Sequence, residues 1–379
     1  MAALGGTRVV IVGGGPAGAA VALSLARAGL SPVLLEAQDG PRMKVGECLP
    51  PSANLLLRRL GLADRVGRAG LPAHGNRFLW GSPEPAERDF IFGAGGAGWQ
   101  LDRRKFEEEL AGAALEAGAA WRYGCRLFGC SRERGGWRLE VTTRRGVETW
   151  RADFVVDASG RASRLARLLG ARRIRYDRLI GVAAYFHPYT GEDSFTLVEA
   201  VASGWWYSAR LPGGKLMASY MTDSDLVDRA ATRSEGGWRA LLEAAEHTGR
   251  RVAEGACGRP TAPRVLAAHT SRLSAVAGEG WLAVGDAAVA HDPLASHGIS
   301  AALGAGFYAA AAVADHLAGG RDALRAYADL VDRSFAQYLL MRHDRYLAEQ
   351  RWPDAPFWRR RHAPDFRGVA AGAAGRETA

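Results

Sequence analysis

Residues 8–36 read RVVIVGGGPAGAAVALSLARAGLSPVLLE and predict a strand, a glycine turn, a helix and a second strand. The apolar run Arg8–Val12 is typical of a buried strand, and Pro32–Glu36 is typical of the next one. Between them, Ala17–Ala28 has the composition of a helix, and Gly29 follows where a glycine commonly ends one. This βαβ unit predicts an α/β protein built on a doubly wound, mostly parallel sheet.

The glycine turn, Gly13–Gly18, matches the G-x-G-x-x-G pattern of dinucleotide-binding loops. Gly13 permits the tight turn, Gly15 lets a pyrophosphate approach the backbone, and Gly18 lets the helix pack closely on the strand. The phosphates would then lie at a helix N-terminus, where backbone N–H groups attract anions. Glu36 ends the second strand, where an acid can accept the ribose hydroxyls. We therefore predict an adenosine diphosphate site here, rather than a glycine turn without a ligand.

The composition is ordinary for a globular protein, with 48% hydrophobic and 23% charged residues, and the 379 residues suffice for two domains. The net charge of +9 comes almost entirely from arginine and is spread along the chain, so we expect no nucleic acid partner. The four cysteines form no C-x-x-C pair, which indicates neither a disulfide framework nor a metal site. A signal-peptide pattern and an apolar stretch of about 20 residues are both missing, so we expect a cytoplasmic protein without a membrane partner.

A second motif, GDAA at residues 285–288, directly follows the apolar strand Gly280–Val284. DPLASHGI comes next, at residues 292–299. The Asp286 carboxylate at the strand end can bind ribityl hydroxyls, while Pro293 and the backbone after it can frame a flavin ring. The motif lies more than 250 residues after the glycine turn. Because FAD is long and needs separate contacts at its two ends, this separation favours FAD.

A third motif, DASGR at residues 157–161, follows the apolar strand Phe154–Val156. Asp157 can contact a cofactor, but Asp and Gly are also the residues expected of an ordinary β-turn. The segment by itself leaves both interpretations open.

The remaining chain alternates predicted strands and helices. Leu101–Ala120 and Gly237–Thr248 are typical of helices, and Ile299–Glu349 is alanine-rich and helical. A Gly135-Gly136 turn separates two strands of the middle region. The predicted strands of that region are Trp121–Leu127, Trp137–Thr143 and Thr149–Val156, and those of an antiparallel sheet are Val182–Phe186, Phe195–Val201, Trp205–Leu211 and Lys215–Met221.

These elements predict two domains and a tail. Residues 1–72, 98–168 and 265–320 would form a discontinuous cofactor domain, and residues 73–97 and 169–264 a substrate domain. Residues 321–379 would form a C-terminal helical segment and tail, disordered after Gly368.

The ordered set of motifs resembles the FAD monooxygenases that share the fold of hydroxybenzoate hydroxylase and tryptophan halogenase. The set also includes the loop RMKVGE at residues 42–47 and the helix start Asp102-Arg103, and it covers roughly residues 7–362. The resemblance implies a Rossmann-like FAD-binding domain, an antiparallel-sheet substrate domain and C-terminal helices. The FAD contacts expected from the motifs and the resemblance are Gly13, Gly15, Pro16, Ala17, Gly18, Glu36, Ala37, Arg42, Lys44, Val45, Gly46, Glu47, Arg103, Leu127, Asp157, Gly160, Gly285, Asp286, Pro293, Ser296, Gly298 and Ile299.

DPLASHGI and the segment SGWWY at residues 203–207 resemble the halogenase branch, with Tyr207 where a second tryptophan is typical. Halogenases carry hypochlorous acid to a lysine, and a glutamate assists in tryptophan halogenases. Residues 73–80, where the lysine is expected, contain none, and Ala295 stands at the glutamate position. Arginine is always protonated and does not replace that lysine. Halogenation is therefore disfavoured, and Lys44 is the one nearby lysine.

Within that branch, three phrases resemble a narrower subgroup of flavoproteins. They are KVGECLPP at residues 44–51, GWWY at 204–207 and RWPDAPFW at 351–358. The subgroup matures tryptophylquinone enzymes such as lysine epsilon-oxidase, glycine oxidase and quinohemoprotein amine dehydrogenase. Its members act on a tryptophan of a partner protein.

Several side chains are candidates for work beside the flavin. His297 and Glu47 are the leading acid–base candidates, since both lie in expected flavin-facing segments, and His74 and His291 are further ones. Lone histidines are also common as structural residues. The aromatic residues Trp205, Trp206 and Tyr207, with His74, are candidates for substrate contact, although alternating aromatics in a strand are equally typical of a core.

The leading hypothesis is an FAD-dependent monooxygenase that hydroxylates an indole or tryptophan-like ring through a flavin C4a-hydroperoxide. The substrate would be an aromatic small molecule or a tryptophan of a partner protein during quinone cofactor maturation. The reaction would use O₂, with NAD(P)H or a partner flavin reductase as electron donor. The alternatives are a flavin-dependent halogenase, a reductase of isoprenoid double bonds, and a non-catalytic FAD-binding maturation partner.

Overall fold

The structure, a computed structural model, describes residues 9–93, 95–227, 232, 234–255 and 258–363. A six-stranded sheet, called here the parallel sheet, confirms the predicted doubly wound α/β fold. Its first two strands pair antiparallel, and all the others pair parallel. In spatial order the strands are Ala277–Gly278, Trp281–Ala283, Phe154–Asp157, Val9–Val12, Val33–Leu35 and Ala120–Arg122.

The first helix, Pro16–Arg27, follows the glycine turn as expected. Pro16 stands in the first turn, where its missing N–H costs no helical hydrogen bond. Gly29 ends the helix with a φ of +81°, and the N–H of Leu30 donates to the carbonyl of Leu25 at 3.0 Å. The helix is buried along most of its length because the sheet covers one side and a second helix covers the other.

A seven-stranded sheet forms a second layer and contains every predicted strand of the antiparallel region. Its strands are Arg264–Ala267, Leu179–Phe186, Lys215–Asp223, Gly204–Leu211, Phe195–Val201, Gly75–Leu79 and Ala86–Asp89, in that spatial order. The pairing is antiparallel except between Phe195–Val201 and Gly75–Leu79, which run parallel. Arg264–Ala267 pairs inside this sheet, across the domain boundary predicted at residue 265.

The predicted helix Gly237–Thr248 was wrong in extent, because two helices, Glu235–Glu243 and Glu246–Gly255, occupy this region. Glu199 explains the break. Its buried carboxylate accepts hydrogen bonds from the N–H of Thr248 at 2.7 Å and the N–H of His247 at 3.1 Å. A side chain from the sheet therefore caps the start of the second helix.

Three further predicted elements have other bounds in the structure. The helix predicted over Leu101–Ala120 spans Arg103–Glu116, because the Asp102 carboxylate accepts from the N–H of Arg104 and caps it. Thr149–Val156 is not one strand: Gly146–Ala152 belongs to a three-stranded antiparallel sheet, and Phe154–Asp157 belongs to the parallel sheet. Trp121–Leu127 is likewise divided between the same two sheets. The three-stranded sheet consists of Arg126–Glu133, Gly136–Thr143 and Gly146–Ala152.

The alanine-rich region forms two helices, Gly298–Leu317 and Ala323–Leu347, separated at Gly319 with a φ of +103°. Gly298–Leu317, called here the core helix, is long and apolar enough by composition to cross a membrane, contrary to the expectation that no such stretch exists. It packs on the first helix, where a Cβ at Gly306 would lie 2.6 Å from the Ala17 carbonyl oxygen. This packing is that of a helix in a protein core.

Short elements complete the described chain. The residues after Gly368 that were expected to be disordered lie outside the described residues, which end at residue 363. The remaining helices are Ala53–Arg59, Ala63–Ala69, Arg164–Leu168 and Pro356–His362. The remaining strands are Cys48–Leu49, Gly98–Leu101 and Gly70–Ala73 in one small sheet, and Arg173–Arg175, Ser271–Leu273 and Val289–Ala290 in another.

Candidate functional site

The glycine turn adopts a conformation that side chains would block. Gly13 has a φ of +113°, and a Cβ there would lie 2.3 Å from the Ala158 carbonyl oxygen. A Cβ at Gly18 would lie 2.0 Å from the Gly13 carbonyl oxygen. At Gly15, by contrast, a Cβ would meet no atom of the described chain within 4 Å. Two glycines therefore close the turn, and the third leaves its backbone open to a ligand at the start of the first helix.

Glu36 lies beside this turn and organises it. One carboxylate oxygen accepts the N–H of Gly14 at 2.7 Å, and the other accepts the N–H of Gln38 at 2.7 Å. The buried indole nitrogen of Trp121 has no hydrogen-bond partner in the described chain. These groups face an open cavity lined by Gly14, Glu36, Gln38, Gly40, Pro41, Arg42, Lys44, Glu107, Trp121 and Tyr123. The acidic and aromatic lining, with a free donor, fits the adenosine half of FAD.

The loop at residues 42–47 is held between this cavity and the helix Arg103–Glu116. Lys44 donates to one oxygen of Glu107 at 2.6 Å, and Arg103 donates to the other at 2.8 Å. Arg103 also donates to the carbonyls of Gly46 at 2.6 Å and Val45 at 3.2 Å. Arg42 is exposed and lines the cavity. The predicted cofactor residues of this loop are thus brought together with Glu36.

Glu47 ends the loop as a buried acid with 2% of its surface exposed. Its carboxylate accepts the hydroxyl of Tyr185 at 2.7 Å and the N–H of Gly46 at 2.8 Å. Burial raises the pKa of Glu47 to about 6, although the hydrogen bond from Tyr185 and the charge of Arg103 lower it. Glu47 therefore holds or releases a proton near neutral pH, as a general acid or base requires.

The motif at residues 285–288 lies directly against the glycine turn. Gly285 has a φ of +59°, and a Cβ there would lie 2.6 Å from the Cβ of Ala17. Asp286 follows with 42% of its side chain exposed and lies 3.5 Å from the Nε of Arg161. Two motifs separated by more than 250 residues in sequence thus meet at the start of the first helix, where one bound cofactor can contact both.

Asp157 does not fit the predicted cofactor role. It is fully buried, and one carboxylate oxygen accepts from both the N–H of Ser159 at 2.9 Å and its hydroxyl at 2.6 Å. The other oxygen accepts the N–H of Ala166 at 2.8 Å. Because Asp157 is fully buried as well as bonded inside the turn, whereas Glu36 is only partly buried and lines the cavity, the β-turn interpretation fits the Asp157 side chain. Gly160, with a φ of +66°, continues this turn.

The segment at residues 292–299 forms the N-terminal end of the core helix. Pro293 is exposed, Ser296 has a φ of +53°, and a Cβ at Gly298 would meet no described atom within 4 Å. Ile299 points into the protein core instead. Open backbone at the start of a helix suits the electron-rich edge of a flavin ring. Asp292, just before it, is buried and bound by the hydroxyl of Tyr346 at 2.8 Å.

The three histidine candidates lie in different environments. His297 precedes the core helix and its Nδ1 contacts the carbonyl of Ala295. Burial lowers the pKa of His291 to about 4, so its ring is neutral at physiological pH and does not supply a proton. His74 is exposed, with Nδ1 2.9 Å from the hydroxyl of Ser194.

The predicted substrate aromatics are divided between two faces of the seven-stranded sheet. Trp206 stacks on Tyr220 under the helices that cover one face. On the opposite face Trp205 is 1% exposed and donates to the hydroxyl of Tyr346 at 3.2 Å. Both rings are core residues, which corrects their assignment to substrate contact. Tyr207 is partly buried and packs near Tyr185.

Leu127 also departs from its predicted role. Its side chain is 1% exposed and lies in the core beneath the three-stranded sheet, opposite Val141. Tyr185 is the residue that sequence reasoning missed. It lies within an apolar strand of the seven-stranded sheet and carries no motif, so only the fold brings it to Glu47.

The fold and the glycine turn are those of an FAD-binding oxidoreductase. The chain matches the FAD binding domain family over residues 6–339 and belongs to it. It is similar to LodB of Marinomonas mediterranea, a protein named as an FAD-dependent oxidoreductase. The two are 32% identical over 362 residues, which span 93% of this chain and 96% of that one.

Two solved structures share the fold. The myxobacterial chondrochloren halogenase CndH aligns with a TM-score of 0.83 at 22% identity, covering 98% of this chain and 89% of that one. The peptidyl tryptophan dihydroxylase QhpG, essential for tryptophylquinone cofactor biogenesis, aligns with a TM-score of 0.77 at 24% identity, covering 95% and 80%. The resemblance to the halogenase-like branch of FAD-dependent oxidoreductases is confirmed.

Proposed function

We propose that this protein is an FAD-dependent monooxygenase that hydroxylates a tryptophan side chain of a partner protein. The observation that carries the proposal is the position of Lys44. Its ammonium group lies 2.6 Å from the Glu107 carboxylate, and it lines the adenosine cavity together with Glu36. Residues 73–80 contain no lysine. A lysine that carries halogen must lie between flavin and substrate, so Lys44 does not fit that role.

Each group then has a limited task. Bound FAD, once reduced, supplies the activation of O₂, and the protein supplies positioning, a dry site and protons. Glu47 is the leading proton-holding group, since it is buried and bonded by Tyr185. His297 is the second, because it lies at the start of the core helix. Asp286 and the backbone at Gly298 hold the ring end of the cofactor.

The reaction balances with one electron donor. One oxygen atom of O₂ replaces a ring C–H by C–OH, and the other leaves as water, which takes two electrons and a proton from NAD(P)H and a second proton from solvent. Those electrons reach FAD directly or through a partner flavin reductase. The similarity to QhpG supports a protein-bound tryptophan as substrate, and an aromatic small molecule is the alternative. We expect the protein to work in the cytoplasm, where NAD(P)H is available.

The test uses the FAD-loaded protein with a flavin reductase, NADH, ¹⁸O₂ and chloride or bromide. The substrate is a polypeptide that co-purifies with the chain, chosen among the products of neighbouring genes. We expect mass spectrometry to find ¹⁸O on one tryptophan and no halogen. Stoichiometric hydrogen peroxide with unmodified substrate contradicts the proposal and favours a non-catalytic maturation partner.

Halogenation is the second candidate, because CndH, a halogenase, shares the fold. A halogenated product in the same assay, abolished in Lys44→Ala while flavin oxidation continues, would establish it. Saturation of an isoprenoid double bond without O₂ consumption would instead show a reductase. The halide-containing mixture separates hydroxylation from halogenation, and a parallel reaction with an isoprenoid in place of the polypeptide tests for a reductase.

A further inference from the structure

A hydrogen bond connects the cofactor loop, residues 42–47, to the seven-stranded sheet at the buried acid Glu47. Tyr185 is 4% exposed and Glu47 is 2% exposed, and the tyrosine hydroxyl lies 2.7 Å from one carboxylate oxygen. The residues are 138 positions apart in sequence. The second carboxylate oxygen is held by the N–H of Gly46 at 2.8 Å. Each oxygen of Glu47 therefore has one defined donor, and one of the two donors is a side chain.

Charged and titratable groups face this pair from several elements. The guanidinium of Arg103 contributes a positive charge from the helix side, and Arg264 does so toward Tyr185. Cys48 and Tyr207 lie near enough to Glu47 for its charge to raise their pKa, although burial is the larger cause for both. Both groups stay protonated at neutral pH, so Glu47 is the one that titrates there.

A chain of ion pairs leads from this acid toward the surface. Arg103 contacts the carbonyls of Val45 and Gly46 with one nitrogen and the carboxylate of Glu107 with another. Glu107 in turn binds Lys44, whose side chain is 42% exposed. Lys44 and Glu107 also line the adenosine cavity, so these contacts connect that cavity to the loop that ends at Glu47.

We propose that Tyr185 is the positioning residue that fixes the orientation of Glu47 and sets its protonation in the active site. The geometry of the pair is independent of the reaction, but its role in proton delivery rests on the proposed function. Tyr185 donates its proton in the hydrogen bond, so it favours the charged carboxylate over the neutral acid. Burial raises the pKa of Glu47 and the hydrogen bond lowers it, and the two effects together leave this pKa at about 6.

The substitution Tyr185→Phe removes the hydroxyl and keeps the ring. The charged carboxylate loses a donor, so the pKa of Glu47 rises and its titration moves upward by about one pH unit. Glu47→Gln removes the titration altogether. The matched control is Tyr220→Phe, which deletes a buried hydroxyl on the opposite face of the same sheet, where it donates to Ser203 at 2.6 Å.

The measurement is the infrared carbonyl stretch of protonated carboxyl groups as a function of pH, recorded with and without bound FAD. Subtracting the Glu47→Gln spectra isolates the signal of Glu47. We expect its midpoint near pH 6 in the unmodified protein, higher in Tyr185→Phe and unchanged in Tyr220→Phe. An unshifted midpoint in a folded Tyr185→Phe protein overturns the proposal.

The unmodified protein provides a second test, which applies even if Tyr185→Phe fails to fold. The C–O stretch of a tyrosine that donates to Glu47 should shift with the same midpoint as the carboxyl signal, and this coupled shift should vanish in Glu47→Gln. Absence of any coupled tyrosine band contradicts the proposal. Neither measurement depends on turnover, so failure of the hydroxylation assay leaves this result standing on its own.

Discussion

Tyr346 donates its hydroxyl to the buried carboxylate of Asp292 at 2.8 Å. The same hydroxyl accepts the indole N–H of Trp205 at 3.2 Å, and Asp292 also lies 3.4 Å from Arg342. Tyr346 belongs to the helix Ala323–Leu347, while Asp292 begins the segment that frames the flavin end. One phenol therefore connects the C-terminal helix, the seven-stranded sheet and the cofactor segment.

Removing that phenol should destabilise the protein. In Tyr346→Phe the buried Asp292 carboxylate and the Trp205 N–H each lose a partner, and we expect a loss of about 2–3 kcal/mol in the free energy of unfolding. Chemical denaturation measures the loss. The control is Tyr308→Phe on the core helix, whose residue is 51% exposed and which should change stability little. Equal stabilities of the two variants would contradict the role given to Tyr346.

The glycine turn allows a test that separates folding from cofactor binding. Gly15→Ala adds a methyl group that meets no described atom, so the protein without cofactor should keep its melting temperature. The methyl group should hinder the pyrophosphate and weaken FAD binding about tenfold or more, equivalent to about 1.4 kcal/mol. Gly18→Ala, with a Cβ 2.0 Å from the Gly13 carbonyl oxygen, should lower the melting temperature itself. Unchanged FAD affinity in Gly15→Ala would show that the ligand does not approach there.

The two aspartates after parallel strands should behave differently. Asp286 is partly exposed, so Asp286→Ala should weaken FAD binding about tenfold without changing the stability of the cofactor-free protein. Asp157 is buried with both oxygens bonded, so Asp157→Ala should cost about 2–4 kcal/mol of stability. Flavin fluorescence titration and denaturation measure the two effects. An Asp157→Ala protein that is as stable as the unmodified protein but binds FAD less tightly would show that the Asp157 side chain contacts the cofactor.

Glu47 predicts a pH dependence of stability with a definite sign. Its pKa is about 6 in the folded protein against an ordinary value of 4.5, so the folded state binds more protons than the unfolded state between these values. Protonated Glu47 therefore contributes about 2 kcal/mol to the free energy of unfolding below pH 4.5, and this contribution is lost as the pH rises through 6. Glu47→Gln lacks this titration, so its free energy of unfolding relative to that of the unmodified protein should rise by about 2 kcal/mol between pH 4.5 and pH 7. Denaturation curves of both proteins at pH 4.5 and pH 7 measure this change. The same stability difference at both pH values would contradict the raised pKa of Glu47.

Local signals in the sequence correctly predicted the backbone turns on which the proposed cofactor contacts lie. The glycine turn, the end of the first helix at Gly29 and the turn at Gly285 depend on residues that tolerate positive φ, and this property is visible in the sequence. Asp157 shows the limit of such reasoning, because a cofactor ligand and an Asx-turn residue have the same local sequence. Only the three donors around its carboxylate distinguish them.

Contacts between distant segments could not be predicted. The aromatic, alternating segment that starts at Trp205 was correctly predicted as a strand, which spans Gly204–Leu211. Alternation does not show which faces of the sheet other elements cover, so Trp205 and Trp206 were wrongly predicted to contact substrate. The break between the helices Glu235–Glu243 and Glu246–Gly255 depends on Glu199, which lies in another strand. Tyr185 reaches Glu47 in the same way, through pairing of strands that no short pattern encodes.

The most direct test of the account is the stoichiometry of flavin bound by the purified chain. If the glycine turn and Asp286 contact the same cofactor, anaerobic titration with FAD should saturate at one FAD per chain, and Gly15→Ala and Asp286→Ala should each weaken that binding. A colourless protein that takes up no added FAD would contradict the shared site, and with it the hydroxylation proposed here.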